Sequence, residues 1–400
     1  MSSRELHPFN GQIILFKGQS QYDVVRGFID ELKLGLEELG HRAVIIDFTE
    51  PSFVQQLQQA LSQPVFFALG MNGIGIELKS GNQSLYDAGG FPFFAYLVDH
   101  PLYNMERLNA SVHHLIVSCV DESHTQYLAK FHPKKYTRAF IPHGASANDE
   151  AVKPLSEREY SVIWTGTLAD PEGYRRKWTQ YDPHLSQLLD ETVERALSAS
   201  NRTLVEILSD LLREKGIGEN PLFLRKLAPL LLPLDGYVRS TRRMQLLDAL
   251  RDVQVHLFGN GWDRLPSSLR ANKVIHPSVN YEQMKQLLGN SQISLNVLPY
   301  FTQGGHERVF MSMLSGSVVV TDSNSYLDRA FTPGEHFVSY SLSDWKAIPE
   351  MVSELQDNPA RMEQIAEAGR AAVESAHLWK HRAAQIVETA KFHYTFYPFE

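Results

Sequence analysis

The sequence predicts a two-domain α/β protein, each domain a doubly wound, Rossmann-like parallel sheet, and three observations carry that prediction. Short, wholly apolar runs alternate with stretches of helical periodicity in the first third of the chain and again after Tyr160. Glycines and prolines close those runs. A length of 400 residues suits about two domains at roughly 150 residues each.

In order, Gln12–Phe16 is a buried strand closed by Gly18. Val24, Val25, Phe28, Leu32, Leu36 and Leu39 then recur at helical spacing until Gly40. Ala43–Phe48 predicts a strand and Phe53–Leu61 a helix. Val65–Leu69, Phe93–Val98, His114–Val120 and Ala139–Ile141 continue the strand series. The small, polar run over Gly144–Ser156 reads as a linker, which sets the first domain at residues 1–150. Tyr160–Trp164 restarts the alternation, but 172–251 shows only helical stretches, such as Leu185–Leu197 and Thr203–Arg213. That segment is expected to be a helical insertion, mobile or acceptor-facing, outside the sheet of the second domain. Strands resume at Val253–Phe258, Ile293–Val297, Ser317–Thr321 and Phe337–Tyr340, and the tail from Ala347 is mostly helix. The second domain is therefore expected over 151–380, facing the first across a cleft, with 381–400 as a helix returning to the first domain.

Composition narrows the function. The formal charge is −8, so nothing draws the chain generally to nucleic acid or anionic lipid, and an anionic ligand must be met by a local site. The single cysteine, Cys119, points to a reducing compartment, and with no apolar leader and no long apolar run the expectation is a soluble, cytoplasmic protein without a membrane span. No GxGxxG follows the first strand, and GxxxxGK[ST], DxD, HExxH and CxxC are all missing. Nicotinamide chemistry and P-loop hydrolysis lose support, and catalysis is expected to use no protein-bound metal.

The richest segment, Asn296–Asp322, reads strand, glycine turn, helix, glycine, strand. Gln303-Gly304-Gly305-His306 brings backbone N–H groups to a helix start, where the macrodipole also favours an anion. Glu307 and Arg308 follow in the first turn, and Arg308, expected at the surface, is placed to grip a phosphate. A plain strand-to-helix turn with solvated Glu and Arg is the bland reading. Gly259, Asn260 and Gly261 after one strand, and Gly166 after another, allow close ligand approach or simply make turns. All these turns gather at the carboxyl ends of parallel strands, where open α/β sheets bind ligands.

In the first domain Asp99-His100-Pro101 ends a very apolar strand, a position that suits a general base. Equally, Asp99 caps the next turn and His100 precedes proline for backbone reasons. Gly70-Met71-Asn72-Gly73 ends another strand and offers Asn72 to an acceptor, or is only a turn. His143-Gly144 stands at the domain junction as hinge, site or neither, and His113-His114 at a strand start reads as structural.

From Tyr160 to about residue 390 the chain resembles the CgeB-type, spore-maturation-protein-like glycosyltransferases of GT-B fold. The likeness rests on WTGTL, FGNGW, YEQMKQLLGNSQISLNV, HERVFMSMLSGSVVVTD, YLDRAFTPGEHFVSY and HLWKHRAAQIV, in that order. The resemblance implies a nucleotide-sugar donor, a UDP-sugar, as co-substrate in the second domain, an acceptor (protein or glycan) in the first, and no cofactor. It places Gly166 near the diphosphate, His276 beside the nucleobase, and Gly304–Arg308 at diphosphate and sugar. One position departs: where related enzymes carry a glutamate for the ribose hydroxyls, this chain has Met311. The chemistry stands beside the likeness. A leaving diphosphate needs its charge stabilised, which backbone N–H groups, a helix start and Arg308 supply without a metal. An inverting transfer to a hydroxyl or amide also needs a base, Asp99 or His100; a retaining one does not. Rival readings are a nucleotide-sugar epimerase on the same fold and a non-catalytic nucleotide-sugar-binding protein, the latter favoured by the missing glutamate.

Overall fold

The structure is a computed structural model that describes residues 8–132, 134–146, 151–199, 201–217, 223, 226–298 and 301–399. Parts of the expected linker (147–150) and of the expected insertion (200, 218–222, 224–225) lie outside the described residues. The chain divides into one unit of Met1–Ser146 with Ala376–Glu400 and another of Ala147–Ser375.

The first unit holds β1 (Gln12–Lys17), α1 (Val24–Glu38), β2 (Ala43–Asp47), α2 (Phe53–Leu61), β3 (Val65–Met71), β4 (Phe93–Leu97), β5 (Leu115–Cys119), α3 (Glu122–Phe131) and β6 (Thr137–Phe140). The strands form a parallel six-stranded sheet in the order β2-β1-β3-β4-β5-β6. Both faces are covered, so β1, β3, β4 and β5 are apolar almost throughout, as parallel strands must be. Helix Trp379–Phe396 closes the unit. Trp379 packs on Phe28 at 5.2 Å, and Arg382 donates from Nε to the carbonyl of His143 at 2.8 Å. His393 meets Thr137 Oγ1 at 2.8 Å. Burial also keeps three histidines of this unit uncharged: His124 and His377 are held at about 3 and His393 at about 4, in each case by desolvation first.

The second unit holds β7 (Tyr160–Thr165), α4 (Pro171–Arg175), α5 (Pro183–Ser198), α6 (Leu204–Glu214), α7 (Leu231–Ala249), β8 (Val255–Phe258), β9 (Lys273–His276), α8 (Tyr281–Gly289), β10 (Ser291–Leu295), α9 (Glu307–Leu314), β11 (Val318–Asp322), α10 (Ser325–Ala330), β12 (Val338–Tyr340), α11 (Ile348–Asp357) and α12 (Pro359–Ala376). Its parallel sheet runs β9-β8-β7-β10-β11-β12. Strand order therefore reverses between β7 and β10, and the loops after those two strands form the switch point at which such sheets take ligands.

Three of the helices between β7 and β8, α4, α5 and α6, start where side chains cap them. Asp170 and Asp182 accept from the N–H groups of Glu172 and His184, each ahead of a proline at the first helical position, and Thr203 forms a capping box with Glu206. Among its described residues 172–251 forms helices and no strand, but the expectation that it is mobile or acceptor-facing is corrected at α7, which packs on the domain sheet. Leu246, Leu247 and Leu250 lie in the same core as Trp164, Leu257, Leu295 and Val320, at 0–1% exposure for the three leucines. An apolar stripe of that kind has nowhere else to be buried.

Two outcomes follow. Leu247→Ala should cost about 2–5 kcal/mol in denaturant unfolding, whereas a detached lid helix would leave the midpoint unchanged. The histidines give a pH dependence whose sign is fixed by their lowered values. The unfolded chain binds protons below the ordinary 6.5 while His124, His377 and His393 stay neutral in the fold, so stability is complete above that pH and is lost below it. Each should remove about 1 kcal/mol between pH 7.5 and 5.5, and urea unfolding of equal stability at the two pH values would contradict this.

Candidate donor site at the switch point of the second unit

The turn after β7 is Thr165-Gly166-Thr167, and two guanidinium groups close on it. Arg308, in the first turn of α9, donates from Nη1 to the carbonyl of Thr165 at 2.6 Å. Arg243, from α7, donates to the carbonyl of Thr167. Gly166 has φ +155, and a Cβ there would stand 3.2 Å from Arg308 Nη1 and 3.7 Å from Arg243 Nη2. The missing side chain leaves the space in front of both cations.

Neither arginine reaches a carboxylate within ion-pair distance among the described residues, and the Nε of each is buried without a hydrogen-bond partner there. Burial lowers the pKa of Arg243, with Arg308 and Arg239 adding to it. Burial likewise lowers that of Arg308, with Arg239 adding and Glu307 opposing. Arg239, one turn before Arg243, is held by Asp235 at 2.7 Å. Like charges crowded at a half-buried turn are costly alone, and an anion placed among them relieves that cost.

Arg308 is not the solvated surface residue the sequence suggested, because a chain of side chains fixes it. Glu307 Oε2 lies 2.7 Å from His306 Nδ1, and His306 Nε2 lies 3.1 Å from Arg308 Nη2. His306 Nδ1 also lies 3.3 Å from the backbone N–H of Arg308; the closer carboxylate at Nδ1 and the guanidinium donor at Nε2 favour the neutral imidazole with its proton on Nδ1, donating to Glu307. Burial, then Arg308, lowers the His306 pKa and keeps it in that form. The preceding loop is tied by Asn324, whose Nδ2 donates to the carbonyls of Phe301 (2.5 Å) and Gly304 (2.9 Å).

The remaining glycines serve packing. A Cβ at Gly259 would sit 1.9 Å from the carbonyl oxygen of Gly166, one at Gly261 would sit 1.9 Å from that of Leu168, and one at Gly305 would sit 2.3 Å from the Phe310 ring. Gly166 N–H donates to Phe258 and Leu168 N–H to Asn260, so Gly259 and Asn260 hold the β8 loop against the β7 turn. His276 ends β9, with its ring stacked 4.2 Å from Phe258 and its Nε2 2.9 Å from His256 Nδ1. Met311 is buried at 2% exposure.

In the first unit, Asn72 and Asp99 come together. Asn72 Nδ2 donates to Asp99 Oδ2 at 2.7 Å, and its Oδ1 accepts from the N–H groups of Val98 and Asp99. His100 caps the following turn, its Nδ1 accepting from Leu102 N–H at 3.1 Å, and its ring packs edge-to-face with His124 at 4.4 Å. His143 is buried at 2% exposure beside Phe28. Arg243 was missed from the sequence, although Arg239 and Arg243 share one helix face at i, i+4, a spacing that signals paired cations.

Among the described residues, no three His, Cys, Asp or Glu side chains are grouped to hold a metal, and no helix is long and apolar enough to cross a membrane. A family model described as glycosyl transferase-like matches residues 241–388, which include Arg243, the turn after β8 and all of α9. No curated protein matches the chain in sequence. Solved structures are similar in fold. The Anabaena protein HepE in complex with UDP gives a TM-score of 0.53 at 11% identity, over 95% of this chain and 100% of that one. A sucrose-phosphate synthase from Thermosynechococcus elongatus gives 0.51 at 11% identity, over 96% and 100%. AviGT4, a glycosyltransferase involved in avilamycin A biosynthesis, gives 0.52 at 11% identity, over 96% and 98%. Residues 241–388 accordingly resemble a glycosyl transferase-like family, in a chain whose two parallel sheets share the GT-B fold of these solved structures.

Proposed function

We propose that this chain is a glycosyltransferase that moves a sugar from a nucleoside-diphosphate sugar to an acceptor hydroxyl or amide, without a metal. The observation that carries the reading is the pair Arg243 and Arg308 at the Gly166 turn. When the bond from the anomeric carbon to the diphosphate breaks, its electron pair leaves with the phosphate oxygen. Fixed cations and the start of α9 stabilise that charge with no reorganisation at the moment of reaction. Fixed, water-excluded positive charge of this kind makes a metal dispensable. UDP is the favoured nucleotide: HepE, similar in fold, is seen with UDP and with UDP-glucose. His276 and Phe258 are the proposed neighbours of the base. The first unit is the proposed holder of the acceptor, a protein or glycan, with Asn72 at its side, and Asp99 takes the acceptor proton as the new bond forms.

Met311, buried where a ribose-binding glutamate is expected, supports the rival reading of a protein that binds donor without turning it over. Slow hydrolysis of UDP-sugar in the absence of acceptor separates the two, because a binding protein releases no free UDP.

Titration calorimetry with UDP tests the cations. Arg243→Ala and Arg308→Ala should each weaken binding about tenfold to a hundredfold, at a melting temperature close to the parent's. An affinity equal to the parent's in both variants would remove the diphosphate from this turn. For the base, Asp99→Asn should lose about 10²–10⁴ in turnover while keeping UDP affinity. Near-parental turnover would leave the first unit without a base there and make a retaining reaction the better account.

A further inference from the structure

A second recess lies in the first unit, along the outer edge of its sheet. It is a groove of about 470 Å3 lined by Gln12, Arg42, Val44–Ile46 of β2, and Gln56, Gln59, Ala60, Ser62 and Gln63 on or just after α2. Gln12 begins β1 and Arg42 precedes β2, so the groove sits toward the amino ends of the strands. Asn72 and Asp99 stand at the opposite, carboxyl ends. The volume is that of a small-ligand site.

Its chemistry is unusual for a bare surface. The walls carry the amides of Gln56, Gln59 and Gln63, the Ser62 hydroxyl and the one cation of Arg42, with no carboxylate, over a floor of Val44, Ile46 and Ala60. Gln12 is 4% exposed; its Nε2 donates to the Ala60 carbonyl at 2.5 Å, and its Oε1 is buried without a partner among the described residues. A buried acceptor left unmatched is destabilising unless a donor comes to it. The edge strand adds backbone groups. Ile13 N–H donates to Arg42 and Phe48 N–H to Lys17, so even-numbered residues of β2 face β1 and Ile45 turns its N–H and C=O outward.

We propose that this groove is a binding site for a neutral glycan. An amide presents a donor and an acceptor side by side, which matches the adjacent hydroxyls of a sugar ring, and the aliphatic floor takes the ring's C–H face. An extended peptide added to the edge is the less favoured occupant. β2 spans only Ala43–Asp47, and the Asp47 carboxylate at its end is already held by Arg26 at 2.6 Å and by Thr49.

Saturation-transfer NMR with short neutral oligosaccharides of glucose, galactose and N-acetylglucosamine tests this on the full chain with no donor present. Binding by the parent on the order of 1 mM or tighter, weakened at least about tenfold in Gln59→Ala/Gln63→Ala, is the expected result. Both positions are exposed on or just after α2, so the double variant should melt like the parent and bind UDP unchanged. Three results would overturn the inference: no saccharide binding, binding equal in parent and variant, or binding of extended peptides but no saccharide. Since the readout uses neither donor nor turnover, its failure leaves the transfer reading untouched, and the reverse holds too.

Discussion

Two guanidinium groups sharing one glycine turn are the constraint around which the second unit is arranged. Thr165 and Thr167 offer their carbonyls to Arg308 and Arg243, and the residue between them has no side chain. Each arginine is thereby oriented by backbone, the least adjustable part of the fold. Had carboxylates met them, the site would be neutral and closed. Backbone carbonyls orient the cations while leaving their charge in place, and a site for a leaving diphosphate needs that combination.

Bringing the two together takes both halves of the unit. Arg308 arrives through the reversal of strand order between β7 and β10, which sets the start of α9 beside the β7 turn. Arg243 arrives from α7, the last helix of a segment that interrupts the regular alternation. Its placement depends on Leu246, Leu247 and Leu250 anchoring that helix on the sheet, and on Arg242 donating to the carbonyls of Ala196 and Ala199 at the end of α5. The interrupting helices are therefore structural support for a charge at the site.

The fold was legible because its signals are local. Apolar runs such as Ile13–Phe16 and Val318–Val320 and the caps at Asp182 and Asn280 sit within a few residues of what they specify. That the Gly166 turn and the Arg308 helix start meet at one sheet edge was legible too, since parallel strands bring their carboxyl ends together. Other features are matters of tertiary distance. Nothing near Gly259 in sequence tells that its Cβ would strike the carbonyl of Gly166. Arg308 looked solvated because the Thr165 carbonyl is far away in sequence. Arg243 was hidden for the same reason, its helix lying in the segment read as a mobile or acceptor-facing insertion.

Asp99 and His100 show how adjacent polar residues acquire different work. Both end the same apolar strand, and from the sequence either fits a base or a cap. In the fold the imidazole accepts from Leu102 N–H and packs edge-to-face with His124, so it is committed to the following turn. The carboxylate is exposed and oriented from the neighbouring strand end by Asn72, whose own left-handed φ of 52 turns its amide back across the sheet edge. A group needed to take a proton must be positioned yet reachable, and of the pair only the aspartate meets both conditions.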